Sequence, residues 1–134
     1  MLREFLIITV LTVVGSAYSL ISGLAPLPWS APELEAGEIR LEDAQVLDVI
    51  WVDARKESEF TAGHAPGAVF YDSADTVTSM GLILEQWLTE PRPIVVYCAD
   101  EGCGTSKRIA EQLRANLPDS EIYSLKVGWT AWAK

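Results

Sequence analysis

The sequence is poor in the residues that most often build metal centres and disulfide frameworks. It has one histidine, His64, and two cysteines, Cys98 and Cys103. One imidazole excludes a three-histidine metal site, and two thiols are too few for a four-ligand zinc site or a disulfide-stapled mini-protein. Basic residues are scarce as well: Lys plus Arg number 10 against 19 Asp plus Glu, a net charge of −9. Affinity for nucleic acid comes mostly from Lys and Arg neutralising phosphates, so no nucleic-acid partner is expected. No metal and no cofactor is expected either. Internal repeats and low-complexity tracts are absent. What is plentiful is apolar side chain, 49% of the 134 residues. That excludes a disordered chain and fits one domain.

Charge is missing from one long stretch. Phe5 to Ala25 carries none in 21 residues, and as a helix it would extend about 31 Å at ~1.5 Å per residue. Its apolar positions show no amphipathic period. Three readings compete. A buried core helix rarely runs so long without a charge. A signal peptide could be cut after Ala17, behind the small residues Gly15 and Ser16, yet Tyr18, Leu20 and Ile21 resume the apolar run. An uncleaved transmembrane helix fits the length best. The expectation is therefore a membrane anchor over 1–25, in the bilayer through residues 5–25. Arg3 precedes the run, and Glu33, Glu35 and Glu38 follow it. The positive-inside rule then predicts a single-pass protein with its N-terminus in the cytoplasm and its domain on the outer, periplasmic side. Pro26, Pro28 and Pro32 make 26–37 a stiff, extended tether, and Trp29 suits a membrane interface or packing onto the domain.

From 38 to 134 strand and helix patterns alternate. Helical spacing covers Leu41–Leu47, Lys56–Ala62, Thr76–Thr89 and the stretch after Thr105. Short β-branched runs at Val49–Val52, Ala68–Tyr71, Ile94–Tyr97 and Ile122–Leu125 read as strands. The Pro66-Gly67 pair predicts a turn with positive φ at the glycine. The fold class is α/β: a small, mostly parallel central sheet with helices on both faces, preceded by one transmembrane helix.

The chemistry concentrates after the Ile94–Tyr97 strand. Cys98 follows a buried strand and precedes a glycine-bearing loop and a helix, where open α/β sheets form their sites. Loop amides and a helix N-terminus stabilise negative charge there, which acidifies a thiol and makes it nucleophilic. The loop comprises Ala99, Asp100, Glu101, Gly102, Cys103 and Gly104, with Thr105 and Ser106 entering the helix as candidate caps.

Two stretches resemble the rhodanese-homology family, in particular its single-domain, membrane-anchored bacterial members. The first is Val52-Asp53-Ala54-Arg55, then Glu59-Phe60, then Gly63-His64-Ala65-Pro66-Gly67-Ala68. It is similar to the family's D-x-R…E-[FY]-x-x-G-H-x-P-G-A signature. The second is Val95-Val96-Tyr97-Cys98 with Ser106 and Ala110-Glu111-Gln112-Leu113. The close, Leu125-Lys126-Val127-Gly128-Trp129-Thr130-Ala131-Trp132, is similar to L-x-G-G-[WY]-x-x-W. The resemblance covers Ile39 to Trp132. It implies a rhodanese-like α/β fold and transfer of sulfane sulfur, held on the cysteine as a persulfide within a cradle of loop amides. The partners it implies are a small sulfur-donor anion such as thiosulfate, or a low-molecular-weight thiol, and a protein thiol.

The loop departs from the family pattern. Cys98 stands eight positions before Ser106 where the usual spacing is six, and Thr105 replaces the usual arginine before the serine. Asp100 and Glu101 would repel an anionic donor, and Cys103 adds a second thiol. Cys98 and Cys103 are the catalytic candidates, as nucleophile, resolving thiol or disulfide pair. The substrate-binding candidates are Ala99, Asp100, Glu101, Gly102, Gly104, Thr105 and Ser106. Two functions follow: a sulfurtransferase with Cys98 as persulfide carrier, or a weak or inactive module for protein binding or thiol redox sensing through Cys98 and Cys103. A cysteine phosphatase or arsenate reductase is disfavoured, because Thr105 cannot neutralise a phosphoryl transition state as arginine does. His64, Asp53, Arg55 and Glu59 are read as structural, and Trp129 and Trp132 as core.

Overall fold

The computed structural model describes residues 2–22, 33–100, 102 and 104–133. They fall into two compact units, Met1–Glu33 and Leu34–Lys134. The first unit holds a helix, α1 (Leu2–Ile21), which begins with Arg3 and Glu4 inside it and ends four residues short of Ala25. Its uncharged part, Phe5 to Ile21, spans about 25 Å at ~1.5 Å per residue, less than the ~30 Å hydrocarbon core of a bilayer. Among the described residues, no helix is long and apolar enough to cross a membrane. The expected transmembrane anchor is therefore not supported, and the single-pass placement, N-terminus in the cytoplasm and domain outside, is overturned with it. Most of the predicted tether, residues 26–32, lies outside those described, as does Trp29.

The second unit is built on five strands: β1 (Glu38–Ile39), β2 (Ile50–Asp53), β3 (Val69–Phe70), β4 (Ile94–Tyr97) and β5 (Ile122–Leu125). Their order is β1-β5-β4-β2-β3, and every pairing is parallel. Between them run α2 (Leu41–Val46), α3 (Glu57–Ala62), α4 (Thr76–Thr89) and α5 (Thr105–Asn116), and a 3-10 helix, Gly128–Ala133, closes the chain. The predicted strands and helices are all present within about two residues. The two-residue β1 has no sequence run to announce it.

Period-two alternation divides the core. Ile50, Val52, Ile94, Val96 and Ile122 face Ile83 of α4 and Ile109, Ala110 and Leu113 of α5. Val95, Tyr97 and Leu125 face the other way, onto Ala44 of α2 and the indoles of Trp51, Trp129 and Trp132. Both faces of β4 are thus covered, which is why it reads as an unbroken apolar run and is buried at all four positions. Asp75 caps α4 by accepting from the Thr78 amide. The Pro66-Gly67 turn has the expected geometry, with φ of 71° at Gly67.

Connections leave β2 and β4, which lie side by side, in opposite directions: β2 leads by α3 to β3, and β4 leads by α5 to β5. The carboxyl ends of β2 and β4 therefore flank a topological switch point, where open α/β sheets place their ligands.

Candidate active site

Cys98 is the first residue past β4, at that switch point, and is 1% exposed. Its sulfur is disulfide-bonded. The sequence has one other cysteine, Cys103. Cys103 and Glu101 lie outside the described residues. The Cys98 Sγ lies 3.5 Å from the Ser106 hydroxyl, which is 2.9 Å from that of Ser124. Both serines are 3% exposed. Two hydroxyls in series can set one hydrogen on the sulfur, with Ser124 donating to Ser106 and Ser106 donating to Sγ.

The start of the loop is clamped from the β5 side. The Trp129 amide donates to the Cys98 carbonyl at 2.7 Å. Gly128 lies so close that a Cβ there would stand 2.5 Å from the Cys98 carbonyl oxygen and 3.1 Å and 3.2 Å from Asp100 N and O. Only glycine permits that approach. The chain reaches it through two residues in the left-handed region, Val127 at φ 68° and Gly128 at φ 61°. Val127 stands where the family pattern has its first glycine.

Asp100 folds back on its own loop, its Oδ1 accepting from the Gly102 amide at 2.9 Å. The carboxylate that sequence reasoning set against an anion thus occupies one of the amides that would hold it. Gly104 is the N-cap of α5 and offers no side-chain cap. Thr105 begins the helix and Ser106 is buried inside it, so neither serves as the expected cap. The first basic residue of α5, Lys107, is turned to two acids, one before β1 and one at its start: it pairs with Glu35 at 2.8 Å and Glu38 at 3.0 Å, and Lys126 joins Glu38 at 3.2 Å. Burial pushes the Glu38 carboxyl up, but the Glu35 amide and the two ammoniums outweigh it and hold that carboxyl below its ordinary value. Hydrogen bonds to Glu35 and Glu38 raise the Lys107 ammonium in turn. Arg108 stands exposed on the next position of α5.

The signature residues of the first stretch brace the neighbouring strand end. Arg55 Nη2 donates to Asp53 Oδ2 and to the Gly63 carbonyl, each at 2.6 Å. The Tyr97 hydroxyl donates to Asp53 Oδ2 at 2.7 Å and accepts from the Ala65 amide at 3.1 Å. The Arg55 guanidinium also lies over the Trp129 ring, 4.1 Å from its centroid. Burial opposes the Arg55 charge, yet Asp53 more than compensates and leaves its pKa raised. Burial is also the main reason the Tyr97 phenol is raised far above its ordinary value. This network ties β2, the His64–Gly67 turn and Trp129 to β4, one residue before Cys98. Glu59 is not part of it and instead accepts from the Lys56 amide at the start of α3. His64 is exposed. Its Nδ1–H donates to the Phe60 carbonyl at 2.9 Å, and its ring stacks on Phe60 at 4.0 Å, a structural role as expected.

The site therefore gathers Cys98, Ala99, Asp100, Gly102 and Gly104 in the loop between β4 and α5, with Thr105 and Ser106 in the first turn of α5. Sequence reasoning missed Ser124. Its signal was present, since alternation along Ile122-Tyr123-Ser124-Leu125 puts a hydroxyl on the inward face, where it needs a partner.

Comparison with known proteins agrees with this fold. A family model described as the rhodanese-like domain matches residues 35–134. Among solved structures, the N-terminal domain of a Clostridium difficile 630 protein is 24% identical at a TM-score of 0.54, covering 72% of this chain and 95% of that one. A Bacillus halodurans protein is 20% identical at 0.55, covering 72% and 70%. A thiosulfate sulfurtransferase from Pseudomonas aeruginosa is 21% identical at 0.54, covering 78% of this chain and 20% of that longer one. At these identities the likeness is one of fold.

Proposed function

The chain belongs to the rhodanese-like domain family, and from that premise we propose that it is a sulfurtransferase that carries sulfane sulfur as a persulfide on Cys98 once the Cys98 disulfide is reduced. The observation that carries this reading is the position of Cys98 Sγ at the carboxyl end of the central strand, against the Ser106–Ser124 hydroxyl pair. In the reduced chain the Cys98 thiolate attacks the outer sulfur of thiosulfate. A new S–S bond forms to Cys98, the sulfur–sulfonate bond breaks, and sulfite leaves with that electron pair. The persulfide then passes its terminal sulfur to cyanide, a low-molecular-weight thiol or a protein thiol.

Electrostatics sets the donor preference. An arginine hydrogen bond to an anion contributes ~1.5–3 kcal/mol, and a helix terminus ~0.3–1 kcal/mol. Thr105 forgoes the larger contribution, and Asp100 takes up one amide. Thiosulfate is therefore a weak donor, and a persulfide of low charge is a better one.

The disulfide on Cys98 favours a second reading, a thiol redox module without sulfur transfer. Thiocyanate formation from thiosulfate and cyanide separates the two. Reduced protein should form it, while oxidised protein and Cys98→Ser should not. No product from reduced protein whose disulfide re-forms readily would favour the redox module.

A further inference from the structure

We infer that Ser124 is a positioning residue for the release of sulfur from Cys98: through Ser106 it holds one hydrogen on Sγ, where negative charge collects as the sulfane sulfur departs to its acceptor. The inference rests on the persulfide reading above and names the step that the hydroxyl pair serves. The direction of the hydrogens follows from burial. Ser106 and Ser124 are each 3% exposed, and a buried hydroxyl places its hydrogen on an acceptor. Among the described residues the Ser124 hydroxyl has one partner, Ser106 Oγ at 2.9 Å, so its hydrogen goes there. Two hydrogens cannot share that line. The Ser106 hydrogen therefore goes to its other neighbour, Cys98 Sγ at 3.5 Å. The parts are held by paired elements: Ser124 lies in β5, Ser106 in the first turn of α5, and Cys98 directly after β4, which is paired with β5.

The surroundings of Sγ give that hydrogen its task. The Asp100 carbonyl oxygen lies 3.6 Å from Sγ, and an oxygen without a hydrogen opposes a thiolate. Asp100, near Cys98 in sequence, and Lys107, next to Ser106, carry charge but are engaged elsewhere, the carboxylate by the Gly102 amide and the ammonium by Glu35 and Glu38. In the release step the acceptor attacks the terminal sulfur. The acceptor–sulfur bond forms, the bond from that sulfur to Sγ breaks, and Sγ keeps the electron pair as a thiolate. A hydrogen bond already aimed at Sγ is stronger to that thiolate than to a bridging sulfur, so it lowers the barrier to release. In the loading step charge moves off Sγ instead, and the same bond gives no help. A hydroxyl pair that only filled space would treat the two steps alike.

The test uses the full-length chain with Cys103→Ser, which leaves Cys98 the only thiol, alone and combined with Ser124→Ala or Ser106→Ala. Iodoacetamide alkylation followed against pH gives the Cys98 pKa. Loading from cysteine persulfide is followed by intact mass, and release to cyanide by thiocyanate formed. Ser106→Ala removes the bond and should raise the pKa by about one to two units. Ser124→Ala keeps Ser106 but loses its orientation and polarisation, and should raise the pKa by about half a unit. Release should slow by about three- to tenfold in the first and by about twofold in the second, as a more basic leaving thiol requires, while loading, measured above every Cys98 pKa, should slow in neither. A Ser124→Ala chain with pKa and release unchanged, or with loading and release slowed alike, would overturn the inference and leave the carrier reading standing. A parent chain that gains no sulfur on Cys98 would overturn the carrier reading itself.

Discussion

Gly128→Ala probes the clamp on Cys98, and Gly67→Ala is its control. Both glycines have positive φ, 61° and 71°. An L-residue in the left-handed region costs about 1–2 kcal/mol, and the loss of unfolded-state freedom on leaving glycine returns about 0.4–1 kcal/mol. At Gly67 a Cβ would meet nothing within 4 Å, so the net cost is about 1 kcal/mol. At Gly128 the added Cβ would stand 2.5 Å from the Cys98 carbonyl oxygen, and the next nearest atoms are also backbone, Asp100 N and O. No flexible side chain is available to move away. Overpacking of this kind adds about 1–3 kcal/mol, bringing the total to about 2–4 kcal/mol. For a domain of this size each kcal/mol lowers Tm by about 4–8 °C. Thermal unfolding of the oxidised chain should therefore show a loss of about 4–8 °C for Gly67→Ala and of about 8–32 °C for Gly128→Ala. Relief by the loop would also break the Trp129–Cys98 hydrogen bond and speed reduction of the disulfide by a dithiol. Two variants with equal Tm and equal reduction rates would show that no clamp exists.

Three other substitutions test the rest of the account. Tyr97→Phe removes a hydroxyl bonded to the Asp53 carboxylate and the Ala65 amide and should cost about 1.5–3 kcal/mol in urea unfolding; a change under about 0.5 kcal/mol would show the network to be idle. Glu38 has a depressed folded pKa, so its contribution is full above its ordinary value of 4.5 and is lost as pH falls through the folded value. Glu38→Gln should therefore flatten the acid limb of the stability curve, and an unchanged limb would refute its ion pairs with Lys107 and Lys126. Thr105→Arg combined with Asp100→Asn and Glu101→Gln should lower the thiosulfate KM by about 10-fold or more, the worth of one arginine hydrogen bond to an anion. An unchanged KM with Cys98 reduced and accessible would remove loop electrostatics as the cause of weak thiosulfate use.

The central strands were legible because β4 is covered on both faces and so carries an unbroken Ile94-Val95-Val96-Tyr97 run. The position of Cys98 followed from that strand and the helix after it. Three things were not legible. β1 is two residues long and is held by β5, whose Ser124 amide donates to the Gly37 carbonyl, rather than by any pattern of its own. The left-handed φ of Val127 contradicts its residue type, because a β-branched side chain disfavours that region and only the Gly128 clamp imposes it. Asp100 reads from sequence as a free repelling charge, but it accepts from the Gly102 amide two residues on, a local Asx turn that charge alone does not reveal. The apolar run near the N-terminus misled in the opposite sense: absence of charge over 5–25 suggested a span, whereas helix α1 ends at Ile21.

The central claim is that Cys98 carries sulfur. Its most direct test is to treat the reduced full-length protein with cysteine persulfide, trap the product at once with an alkylating agent, and map the added sulfur by peptide mass spectrometry. The account predicts an alkylated persulfide on the peptide bearing Cys98, assigned to Cys98 by fragmentation and lost in Cys98→Ser. Sulfur found on Cys103 with Cys98 unmodified, or on neither cysteine, would contradict it.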